Sequence, residues 1–157
     1  MRIGLAVLAT LCLSVFVCAP AVAACYGTNA KTKQRQAVHE IYRGSSHPKR
    51  YFAQATHDAS TGRPQIFYYR RYSSAPAHFK RFVRAHECRH HLGYHNEIAA
   101  NCSALRRMRL SSSGLAALRN YIVSRDVNSQ TKVDQKGQGS TFWNKTARQC
   151  NLGVRID

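Results

Sequence analysis

The run from Phe79 to Gly93 constrains this chain more than any other stretch. Phe79, Phe82, Val83, His86 and His90 recur at the three- and four-residue intervals that mark one face of an α-helix. Ser73-Ser74-Ala75-Pro76 gives an entry signal ahead of it, because proline is tolerated in a first turn, and Gly93 suits its end. Residues four apart lie one turn apart on the same face, so His86 and His90 present two imidazoles to one point. Glu87 sits about 100° round from His86, beside that pair rather than within it. The arrangement suits a metal ion, with a carboxylate placed to take a proton from metal-activated water.

A metal site of this kind needs a third protein ligand, and the chain must turn at Gly93 to bring one back. His95, Asn96 and Glu97 follow in a row. An amide is a poor zinc ligand, so Asn96 reads instead as the cap of a new helix from Glu97 to about Leu110. His95 and Glu97 both have ligand chemistry. On the new helix Glu97 and Asn101 share a face, which would let Asn101 hydrogen-bond a ligating histidine from behind.

The rest of the chain reads as α+β in a single domain over residues 25–157. Gln36 to Tyr42 has Val38, Ile41 and Tyr42 at helical spacing and is expected to be a short helix. Arg50 to Thr56 and Gln65 to Arg70 are rich in strand formers, and the turn residues Asp58 to Pro64 between them predict an antiparallel hairpin. Ser111 to Gly114 is a linker and cap before a helix from Leu115 to Val123. Residues 126–157 are expected to be an irregular tail, anchored by Phe142-Trp143 and tethered through Cys150.

Residues 1–24 have the form of a secretory leader: Met1-Arg2, an apolar run from Ile3 to Ala19, then Pro20-Ala21-Val22-Ala23-Ala24 as a cleavage site. A periplasmic or secreted protein is therefore expected, without a transmembrane segment once the leader is removed. Cys12 and Cys18 leave with it, and Cys25, Cys88, Cys102 and Cys150 make an even set suited to two disulfides. Val22-Ala23-Ala24-Cys25 also resembles a lipoprotein box, and a lipid anchor on Cys25 is the alternative. The formal charge is +17, and removal of the leader takes one basic residue, Arg2, to leave +16. Such a field favours anionic partners, yet no specific nucleic-acid motif accompanies it.

The pattern His86-Glu87-x-x-His90-x-x-Gly93 resembles the start of a metzincin motif, but Asn96 stands where that family has its third histidine. Glu97-Ile98-Ala99-Ala100-Asn101 instead resembles the second helix of gluzincin metallopeptidases, which supplies a glutamate ligand. Together the two motifs look like small exported zincin-type proteins. The resemblance implies a zincin-like domain, with a hairpin or small antiparallel sheet packed on an active-site helix and a glutamate helix. It implies Zn²⁺ held by His86, His90 and Glu97, Glu87 as general base, and Asn101 orienting a histidine. Tyr94 and His95 are the nearby groups for steadying an oxyanion, with His95 also the alternative ligand. A strand over Gln65 to Arg70 would be the edge that receives substrate.

Cys88 lies about 200° from His86, on the back of the metal helix, while Glu97 must face its front. A Cys88–Cys102 bridge is then awkward, which favours Cys25–Cys88 with Cys102–Cys150. The expected function is an exported zinc metallopeptidase acting as a monomer on a peptide or envelope-associated substrate. The alternative is a non-catalytic basic envelope protein that binds anionic polymers around a structural or vestigial metal site.

Overall fold

The computed structural model describes residues 24–46, 51–125, 127 and 138–152; all of the leader except Ala24 lies outside them. Two short strands, β1 (Tyr26–Thr28) and β2 (Arg35–Ala37), form an antiparallel ribbon. A second sheet has β3 (His39–Tyr42), β4 (Ala53–His57) and β5 (Pro64–Tyr68) in the order β3-β5-β4. The β4–β5 pair is the antiparallel hairpin expected from the sequence, whereas β3 runs parallel to β5 and makes the sheet mixed.

Two expectations are corrected here. The segment Gln36–Tyr42 is not a helix: it is the end of β2 and all of β3, joined through Val38. Its inward set alternates through Gln36, Val38 and Glu40, and only one of the three is apolar, so the period of two was hidden. Glu40 is tolerated there because Arg84 donates to both its carboxylate oxygens and the Tyr68 hydroxyl donates to Oε2. Because β3 and β4 flank it, β5 is the central strand, and the substrate edge assigned to Gln65–Arg70 is not an edge. Arg70 itself begins a one-turn helix, α1 (Arg70–Ser73).

The site helix is α2 (Ala77–His90), and its apolar face carries Phe79, Phe82 and Val83 into the core. A turn through Gly93, at φ +89°, leads to α3 (Glu97–Met108). That backbone angle favours glycine over any residue with a Cβ. Asn96 caps α3 by accepting from the amides of Ile98 and Ala99, which is worth about 1 kcal/mol. Next comes α4 (Ser112–Ser124), capped by Ser111, whose hydroxyl accepts from Gly114 N–H at 3.2 Å.

The tail is not irregular throughout, because α5 occupies Gln138–Cys150. Phe142, Trp143, Thr146, Ala147 and Cys150 are buried at helical spacing, and this stripe packs α5 on α3 and α4. The disulfides are Cys25–Cys88 and Cys102–Cys150, the pairing expected from the helix geometry. They fix the β1–β2 ribbon to the back of α2 and the C-terminal helix to α3. The domain is α+β, and no helix among the described residues is long and apolar enough to cross a membrane.

Candidate metal centre

The turn at Gly93 returns the chain so that α2 and α3 present side chains to one point. The Gly93 amide donates to His90 O at 3.1 Å and the Tyr94 amide to Arg89 O at 3.1 Å, so the end of α2 closes tightly. In that closure the Tyr94 carbonyl faces back toward the helix and accepts from His90 Nδ1–H at 2.7 Å. From α3, fully buried Asn101 accepts from His86 Nδ1–H at 2.8 Å.

These two hydrogen bonds decide the chemistry of the imidazoles. An acceptor at each Nδ1 places the proton there and leaves the Nε2 lone pair bare. The two Nε2 atoms lie 3.0 Å apart. Glu97 completes the group, its Oε2 at 3.2 Å from His86 Nε2 and its Oε1 at 3.6 Å from His90 Nε2. Tetrahedral bonds of about 2.0–2.1 Å would put ligand atoms roughly 3.3 Å apart, in the middle of these separations. His86, His90 and Glu97 can therefore hold a metal ion.

Buried lone pairs facing a carboxylate repel one another unless a cation lies between them. With the His86 proton on Nδ1, the buried Glu97 Oε2 has no hydrogen-bond donor among the described residues, which fits a ligand oxygen. Without a metal, a proton relieves the same repulsion. Burial pulls the His86 pKa down, yet the hydrogen bond to Glu97 and the charges of Glu87 and Glu97 raise it above the ordinary histidine value. Burial raises Glu97 in turn, but the His86 hydrogen bond and the charges of His86 and His90 hold its carboxyl below the ordinary range.

Glu87 is not part of the ligand group. It is only 4% exposed, and its Oε2 accepts from the Ala55 amide of β4 at 2.8 Å. This bond fixes the carboxylate at the wall of a cavity of about 350 Å³ that also includes His86, His90 and Glu97. The cavity's other side is β4, through Ala53, Gln54 and Ala55. β4, and not β5, is thus the sheet edge beside the site.

His95 lines this cavity from the turn, and the cavity lining does not include Tyr94. Tyr94 contributes its carbonyl to His90, while its side chain is exposed. Tyr51, whose sequence context marks only a strand, also lines the cavity. Its sole sequence signal was an aromatic residue at the start of a strand, shared with several core positions. The back of α2 carries Cys88, bonded to Cys25 and remote from the ligand group.

Replacing Asn101 with Leu removes the acceptor that selects the His86 tautomer. The expected result is a zinc affinity lower by about 10- to 100-fold with the helical content retained. Competition against a chromophoric chelator measures it; an unchanged affinity would show that Asn101 only fills space.

No known protein family, curated protein or solved structure matches the chain. The fold and the site define it as a small disulfide-bonded α+β protein with a His-His-Glu group able to hold a metal ion.

Proposed function

We propose that this protein is an exported zinc metallopeptidase that hydrolyses peptide or amide bonds in an envelope-associated substrate. The observation that carries the reading is the pair of bare Nε2 atoms, on His86 and His90, facing the Glu97 carboxylate with both Nδ1 protons already committed. Two imidazoles and one carboxylate make a donor set that leaves zinc a coordination position for water or substrate. Zinc held there supplies a Lewis acid and lowers the pKa of water into the neutral range.

The chain's own residues account for the remaining steps. Glu87 accepts the proton of the attacking water and returns it to the leaving amine. Its hydrogen bond to Ala55 keeps it beside the ligand group without making it a ligand. The outer edge of β4, apart from the Ala55 amide that Glu87 takes, is where an extended peptide can align as an added strand. His95 and Tyr51, both on the cavity wall, are the groups available to donate to the developing oxyanion. Two disulfides are compatible with an oxidising compartment such as the periplasm or the extracellular space.

The second reading, a non-catalytic basic envelope protein that binds anionic polymers, is favoured by the formal charge of +17. Zinc titrated into metal-free protein separates the two, with turnover of a mixture of quenched fluorescent peptides as the readout. The metallopeptidase reading expects cleavage to appear at one zinc per chain. It also expects zinc affinity to rise with pH, because protons compete for the ligands. The raised His86 pKa carries that competition above the ordinary histidine range before affinity levels off. Zinc bound at one equivalent with no cleavage of any peptide would sink the enzyme reading and leave the second.

A further inference from the structure

The metal site uses one side of α2; the opposite side forms a separate cleft. Its volume is about 330 Å³, and its walls come from the β1–β2 ribbon, α2 and α3. Arg35 comes from β2, Arg81, Arg84 and Arg89 from α2, and Arg107 from α3. Cys88 lies in the same wall, so its bond to Cys25 holds the ribbon in place as one side of the cleft.

Among the described residues, Arg84 has the one carboxylate partner that these arginines find. Glu40 neutralises Arg84 through a bidentate contact, with Arg84 Nη2 at 2.5 Å and Nε at 2.9 Å from Glu40 Oε1. Among the described residues, no acidic side chain lines the cleft itself. Arg107 stands near enough for its charge to bear on Arg89. Arg89 Nε is also buried, with no hydrogen-bond partner among the described residues. A buried guanidinium N–H without an acceptor is costly, and a second positive charge beside it adds to that cost. An anion held between Arg89 and Arg107 would offset the repulsion between the two guanidinium groups.

We propose that this cleft is a binding site for a phosphate-bearing ligand, distinct from the metal site and independent of whether the protein is a peptidase. Guanidinium groups match phosphate oxygens in a two-pronged geometry. Four arginines beyond Arg84 call for more than the single charge of a carboxylate, which a phosphomonoester or diphosphate supplies. The rest of the lining fits an attached organic group. The Tyr26 ring, with Arg35 over it at 4.9 Å, and the partly exposed Leu92 give apolar surface beside the arginines. The chemistry is shared by a soluble phosphate ester and a phospholipid headgroup.

Calorimetric titration of metal-free protein with inorganic pyrophosphate tests the site without interference from zinc. The expected result is saturable binding at one equivalent that Arg89→Gln with Arg107→Gln weakens by about tenfold or more. The control pair Arg70→Gln with Arg106→Gln removes the same charge outside the cleft and should change the affinity by no more than about twofold. Sedimentation with vesicles of phosphatidate in phosphatidylcholine then identifies the source. Vesicle binding that pyrophosphate displaces assigns a lipid headgroup, and pyrophosphate binding without vesicle binding assigns a soluble phosphate compound. An undetectable pyrophosphate affinity, or an equal loss in the control pair, overturns the proposal by reducing the cleft to diffuse surface charge.

Discussion

Glu87→Gln is expected to retain one zinc per chain and to lose peptide hydrolysis by about 10²- to 10⁴-fold, the range that removal of a general base produces. The substitution removes the charge and keeps the shape of the side chain. A glutamine oxygen can still accept from the Ala55 amide, so the edge of β4 keeps its contact with α2. The ligand group of His86, His90 and Glu97 does not include residue 87, so metal content should match the parent protein. Metal analysis and peptide cleavage on the same preparation separate the two roles. Cleavage undiminished in the variant would end the account of Glu87 as base, while loss of zinc would make residue 87 a ligand.

Phe79→Ala should destabilise the fold by about 3–5 kcal/mol, the usual cost of emptying a buried aromatic site. Phe79 has no exposed surface, and its ring centroid lies 4.8 Å from that of Phe52 and 4.6 Å from that of Tyr121. One side chain therefore joins the segment leading into β4, the metal helix and α4. For a domain of this size the expected fall in melting temperature is roughly 10–20 °C by differential scanning calorimetry. A fall of only a few degrees would mean that the core does not depend on this junction. The consequence for function follows from position, since Phe79 sets the helix that carries His86 and His90 against the sheet that carries Ala55.

The helices near the metal group were legible because local signals agreed with one another. The stripe Phe79, Phe82, Val83, His86 and His90 fixed the face of α2; Gly93 ended it, and Asn96 capped α3. Once those ends were set, the facing of Glu97 and Asn101 followed from the helical period, as did the placing of Cys88 at the back. The sheet was less legible because its first strand, β3, turns a charged residue inward. Glu40 breaks the apolar alternation, and only the distant partners Arg84 and Tyr68 make its burial tolerable. Missing that strand left β5 looking like an edge and hid the role of β4. The helix α5 was less legible for a different reason: Thr146 and Cys150 share the buried stripe with Phe142, Trp143 and Ala147, and neither marks a helix face by strong hydrophobicity. Tyr51 could not be placed in the cavity from sequence, because its approach depends on how β4 packs against α2.

The roles proposed for Glu87, Asn101 and the cavity all require that His86, His90 and Glu97 share one ion. Crystals grown from protein loaded with one equivalent of zinc, with diffraction recorded on both sides of the zinc absorption edge, test that requirement directly. One anomalous peak is expected within about 2.0–2.2 Å of His86 Nε2, His90 Nε2 and a Glu97 carboxylate oxygen. A peak held by His95 in place of Glu97, or no peak between the two histidines, would contradict it.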